Sequence, residues 1–274
     1  MSRSMHSPDA MGFIPFIHNY CDRRCERCRF VRQCRVGAVD VDDVGEAEGG
    51  TFPDTPEDLH QHLLKLMGIT QEELDALETE QRLVPNPPSP EDQARAQARR
   101  DAWEQRRKAL ERRVHAHPLC RMGETYLDLV DAWIEKREEA LKARGVQLHA
   151  RTDMDIPAEL RTPDMLVLGE ALQEVLWFHT LIPAKLHRAL MGRSDGEQDD
   201  DPVQNDWNGT AKVCVDAVDR SLTGWNTVVE LLPEEADDAL PMQELLRRIR
   251  QELNTEFPDA DRFIRPGFDA HLGG

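Results

Sequence analysis

The sequence predicts an all-α protein, and three observations carry that prediction. Four stretches between residues 118 and 257 repeat apolar residues every three or four positions, the period that lines one face of a helix. Those four stretches carry no strand signal, the period of two that a half-buried strand needs. Prolines stand where those stretches open, at Pro118, Pro163, Pro202 and Pro241, positions at which the missing N–H costs nothing. The architecture expected is a C-terminal four-helix bundle over 118–257. A small irregular cysteine module, a helical hairpin and a long charged helix precede it.

In chain order, residues 1–37 form the module. Four of the six cysteines lie within fourteen residues there, as Cys21, Cys25, Cys28 and Cys34 in a C-x3-C-x2-C-x5-C array. Arginines interleave them, so the run does not suit a core strand or helix. Thiolates are the ligands that select zinc or iron–sulfur iron. Structural zinc sites mostly use two separated cysteine pairs, whereas short spacers with a shared middle cysteine suit a cubane whose irons each take one sulfur. The expected cofactor is a [4Fe–4S] cluster on these four cysteines, with Zn²⁺ as the alternative and His18 as a substitute ligand. The first three cysteines also have the spacing of radical S-adenosylmethionine enzymes. No strand–helix alternation follows, and a fourth cysteine would fill the open iron position, so that reading is set aside. Arg23, Arg24, Arg27, Arg29, Arg32 and Arg35 would balance the anionic charge of a thiolate-held metal. Phe13, Ile14, Phe16 and Ile17 are expected to form an apolar lid.

The run NYCDRRCERC at 19–28 and the segment WNGTAKVCVDAVDRSLTGW at 207–225 resemble a group of uncharacterised bacterial proteins with a CDRxCERC-type cysteine signature. The resemblance spans those two windows and implies no activity.

Residues 38–90 read as an acidic, glycine-rich linker followed by a short helical hairpin. Thr55-Pro56 opens its first helix, which Gly68 ends, and Thr70 with Glu73 forms a capping box for its second. That second helix continues as DALETE, too acidic to approach phosphates as a DNA-recognition helix. VPNPPSP is a stiff spacer. Residues 91–117 form the long helix, basic and poor in apolar positions, which reads as a solvated arm.

Within 118–257 the first stripe is Leu119, Met122, Tyr126, Leu129, Val130 and Trp133. The second runs from Met165 to Leu190 through His179. The third is Trp207, Ala211, Cys214, Val218, Leu222, Trp225, Val229 and Leu232, in a helix starting at Asp201-Pro202. The fourth, starting near Pro241, is Met242, Leu245, Leu246, Ile249 and Leu253. Residues 258–274 read as tail. Cys120 and Cys214 are core residues in these patterns. Lys212, Asp216, Asp219 and Arg220 read as surface charges paired one turn apart.

His179 lies on the buried stripe four residues before Pro183, which removes the hydrogen bond its carbonyl would accept. A pocket enzyme at that kink is the third functional reading, although a buried histidine is more simply a hydrogen-bonded core residue. No bundle helix carries the Glu-x-x-His pair of a di-iron site. The net charge of −18 disfavours nucleic acid as a partner. No apolar run was expected to span a membrane, and arginine-rich cysteines fit a reducing cytoplasm. The expected function is an iron–sulfur accessory protein, passing electrons or sensing redox state, whose bundle docks a protein partner. The alternative is a zinc-stabilised interaction adaptor.

Overall fold

The computed structural model describes residues 8–9, 12–38, 55, 60–61, 64, 70–82, 89–143, 146, 162–195 and 201–269. Among them the chain is mostly helical, with no strand, so the all-α reading holds. The acidic stretch 39–50, most of the hairpin's first helix and the spacer 83–88 lie outside the described residues. The chain divides into two compact units, Met1–His18 with Arg23–Arg107, and Asn19–Asp22 with Lys108–Gly274.

In the first unit, helix α1 is Gln71–Arg82. The expected capping box starts it. Thr70 N–H donates to Glu73 Oε2 at 2.8 Å, and Glu73 N–H to Thr70 Oγ1 at 3.2 Å. The bond from the Thr70 backbone, helped by the Thr70 hydroxyl, holds the Glu73 carboxyl below its ordinary range. Helix α2, Pro90–His115, begins in this unit and ends in the other. Ser89 caps it, accepting from Asp92 N–H at 3.1 Å. Its surface is largely solvated, and Trp103 is 54% exposed, as expected of an arm with so few apolar positions.

The second unit holds α3 (Pro118–Ala143), α4 (Pro163–Asp195), α5 (Asp206–Leu231) and α6 (Ala236–Glu256). Helix α3 packs on α4, α4 on α5, α5 on α6, and α6 back on α3, with the α4–α5 contact the most extensive. Gly224 permits that closeness, since a Cβ there would lie 2.9 Å from the Ala171 carbonyl oxygen. Leu119, Tyr126, Val130, Leu168, Leu172, Ile182, Leu186, Val218, Trp225, Leu246 and Ile249 lie in one continuous core. Each such side chain contributes about 1.5–3 kcal/mol by leaving water. At the centre Trp225 Nε1–H donates to Tyr126 Oη at 3.1 Å, and Trp133 meets Trp225 edge-on with centroids 5.1 Å apart. Burial pushes the Tyr126 phenol up to about 12.

Four sequence expectations need correcting in register. On α3 the buried line runs Leu119, Gly123, Tyr126, Val130 and Trp133. Leu129, placed on that stripe from sequence, is 37% exposed. Gly123 takes the inward position because Leu186 and Pro183 approach too closely for any side chain. Helix α5 starts at Asp206, later than Asp201-Pro202, because the Asp201 carboxylate accepts from Val203 and Gln204 N–H and closes a turn. Asn205 then caps the helix by accepting from Asn208 N–H at 2.9 Å. Helix α6 starts at Ala236, before Pro241, and carries that proline inside it. Finally, 257–269 is more than tail. Phe257, Ala260 and Phe263 are buried, and Lys212 pairs with Asp269 at 2.9 Å.

One helix, Pro163–Asp195, is long and apolar enough to cross a membrane by length and composition, a departure from the sequence reading. A helix buried in a core passes the same test, and 39% of that window is buried.

Candidate functional site

The four clustered cysteines sit in tight turns. Cys25–Arg27 and Val31–Gln33 are single 3-10 turns. Cys28 N–H donates to the Cys25 carbonyl at 3.2 Å, Val31 N–H to the Cys28 carbonyl at 3.2 Å, and Cys34 N–H to the Val31 carbonyl at 3.4 Å. The backbone thus folds back on itself between successive cysteines, as interleaved arginines with no apolar period allow. Ile14 N–H donates to the Gln33 carbonyl at 2.9 Å, which ties the apolar lid to the Cys34 turn. Ile14 and Ile17 are buried as expected. Phe16 is not, being 52% exposed with a left-handed backbone at φ 59°.

Cys21, Cys25 and Cys28 are half-buried, Cys34 is buried, and none of the six cysteines, all of them described, is in a disulfide. Among the described residues no three His, Cys, Asp or Glu side chains gather closely enough to hold a metal ion. The donors nevertheless suit a soft metal in their chemistry. Gly37 N–H points at Cys34 Sγ at 3.5 Å, and amide donation to sulfur is among the contacts that tune thiolate-held clusters. Of the arginines, Arg35 pairs with Asp9 at 2.6 Å and lies over the Phe13 ring, while Arg29 lies over Phe30. Only Arg24 among them is buried.

The sequence did not reveal how residues 19–22 are held. Lys185 Nζ donates to the Asn19 carbonyl at 3.2 Å, and Trp177 Nε1–H to the Asp22 carbonyl at 2.7 Å. Arg220 reaches the Asp22 carboxylate at 2.8 Å and Glu174 at 2.7 Å. The Tyr20 ring lies 4.7 Å from that of Phe263. Gly209 makes room for it, since a Cβ there would meet Tyr20 at 2.5 Å. The backbone on both sides of Cys21 is thus gripped by side chains of α4, and the Asp22 carboxylate by Arg220 of α5.

The same bonds revise the reading of the α5 charges as pairs within one helix. Lys212 serves the Phe263 carbonyl at 2.6 Å and Asp269. Asp216 takes Arg265 at 2.5 Å, and Asp219 takes Arg250 at 3.2 Å. All four residues reach across to other segments, because the strand of chain from 257 to 269, helix α6 and residues 19–22 lie within their reach.

His179 is buried. Its Nδ1 lies 2.6 Å from the Leu176 carbonyl oxygen and its Nε2 3.1 Å from Asp131 Oδ1. Both partners are hydrogen-bond acceptors. Neither nitrogen is left over for a substrate in this arrangement. Glu174, on the same helix, is engaged by Arg220.

No family model matches the chain, and no curated protein or solved structure was found to match it.

Proposed function

We propose that this chain is an iron–sulfur accessory protein that transfers electrons or senses redox state, with Cys21, Cys25, Cys28 and Cys34 as the ligands of a [4Fe–4S] cluster. The observation that carries the reading is the donor set itself: four cysteines within fourteen residues, none of them in a disulfide, one of them accepting a backbone N–H. Soft sulfur donors at that density select iron–sulfur clusters or zinc over hard cations. When bound, a cluster would supply one-electron chemistry at a potential set by its surroundings. The chain's own residues would bind it, bury one side through Ile14 and Ile17, and offset its charge with arginine. The helices of the second unit, whose ring of pairwise contacts supports the four-helix-bundle reading, would dock a protein partner. A reducing cytoplasm suits six cysteines outside any disulfide.

A specific observation favours zinc as the second reading. Among the described residues 12–38 only Ile14, Ile17, Arg24, Cys34 and Gly37 are buried, a core small enough that a structural metal would have to replace it. In that case the module is an adaptor with no redox chemistry.

Anaerobic purification decides between them. The iron–sulfur reading expects brown protein that bleaches on reduction and holds iron and acid-labile sulfide in equal amounts. Colourless protein with about one equivalent of zinc would overturn it in favour of the adaptor. Protein that takes up neither metal overturns both.

A further inference from the structure

Residues 19–22 group with the helical unit, and Cys21 is the one clustered cysteine among them. The Asn19 and Asp22 carbonyls and the Asp22 carboxylate are each taken by a different side chain of α4 or α5, namely Lys185, Trp177 and Arg220. Lys185 is itself buried, an expensive place for an ammonium group. Its charge is held beside the backbone two residues from Cys21. An indole N–H, a guanidinium and a buried ammonium trained on four residues exceed what the helix contacts themselves require.

Resting on the proposed metal reading, we infer that Trp177, Lys185 and Arg220 are positioning residues for Cys21, so that docking of Asn19–Asp22 on the helical core and metal binding at Cys21 are coupled. The entropy lost in ordering four residues and the gain from three such bonds are of similar size. Docking is therefore poised, and a second favourable event shifts it. Coupling of this kind is reciprocal. If the core prepares Cys21 for the metal, the metal must stabilise the docked segment by the same factor. Lys185 adds an electrostatic role. A positive charge near an anionic thiolate-held centre favours its reduced, more negative state.

The test uses the full chain and competes bound iron or zinc against a chelator. W177F and R220Q are each expected to weaken metal affinity about tenfold, within the usual range of coupling between sites. The control R250Q, which breaks the Asp219 pair elsewhere on α5, is expected to leave it unchanged. The rise in melting temperature on metal loading should shrink in W177F and R220Q and persist in R250Q. If the centre is an iron–sulfur cluster, K185M should lower its reduction potential and K185R should restore it, which loss of packing alone would not produce. In the metal-free chain, mass-mapped alkylation of Cys21 should speed up in W177F and R220Q while that of Cys25 and Cys28 stays constant. Metal affinity equal in wild type, W177F and R220Q overturns the inference and leaves the metal reading standing. Unchanged Cys21 alkylation in both variants also overturns it. A wild-type chain that binds neither metal overturns the proposed function and the coupling together.

Discussion

Adding one methyl group at two glycines should move stability in opposite directions. Gly209 lies in the first turn of α5. An alanine Cβ there would sit 2.5 and 2.6 Å from Tyr20 Cε1 and Cδ1 and 2.7 Å from Phe263 Cζ. The rings on both sides are stiff, and Phe263 is buried, so something must shift. Overpacking of this kind costs about 1–3 kcal/mol, against a helix-propensity gain of up to about 1 kcal/mol. G209A is expected to lose about 1–2 kcal/mol net. Gly169, inside α4, has nothing within 4 Å of its would-be Cβ, so G169A should gain about 0.5–1 kcal/mol. In a unit of this size, thermal melts followed by circular dichroism should show G209A lower by about 2–8 °C and G169A higher by about 1–4 °C. Cys21 in G209A should also alkylate faster, because Tyr20 is its neighbour. A G209A chain that melts at or above wild type with Cys21 unchanged would refute the packing of Tyr20 on Gly209.

Two more expectations follow from the same unit. Burial works against the charge on Asp269, but hydrogen bonds from Arg265 and Lys212 outweigh it and hold the carboxyl down at about 2. A carboxyl depressed on folding adds stability above its unfolded pKa, near pH 4, and loses it as the pH falls through about 2. The difference in melting temperature between wild type and D269N should therefore be full at neutral pH and shrink between about pH 4 and 2; a difference that stays constant would contradict the network. Burial also raises the Cys120 thiol to about 11 and pushes Cys214 up as well. In the native, metal-free chain both should resist iodoacetamide at mildly alkaline pH, while Cys25 and Cys28 react, as peptide mapping would show. Native labelling of Cys214 would contradict the inward register of α5.

What the sequence revealed was local. Thr70 and Glu73 satisfy each other across three residues, so their capping box needs no tertiary context to be read. The same holds for Pro118 and Pro163 at helix starts and for the buried line from Leu168 to Leu190. His179 was legible too, because a polar group on an apolar stripe must find partners, although sequence could not name Asp131. The failures share a cause. Leu129 and Gly123 exchanged places because the closeness of α3 and α4 is set by Pro183 and Leu186, more than 50 positions away. Lys212, Asp216, Asp219 and Arg220 look self-sufficient along one helix, yet each spends its charge on a distant segment. Phe263 and Asp269 look like tail because nothing in their own neighbourhood says what they cover. For the cysteines, spacing suggested ligands to one centre, and the grip on Cys21's neighbours by Trp177, Lys185 and Arg220 left no local trace.

The indoles divide the molecule optically. Trp225 is wholly enclosed, bonded to Tyr126 and edge-on to Trp133, an asymmetric pair close enough for their near-ultraviolet transitions to couple. Trp103 stands in water on a solvated helix, and Trp177 spends its N–H on the residue after Cys21. Melting of the core should thus be read in the dichroism of the Trp133–Trp225 pair, while release of residues 19–22 should be read in Trp177 emission. With the remaining indoles replaced one at a time, each event carries its own colour, and the order in which the two occur becomes visible without any added label.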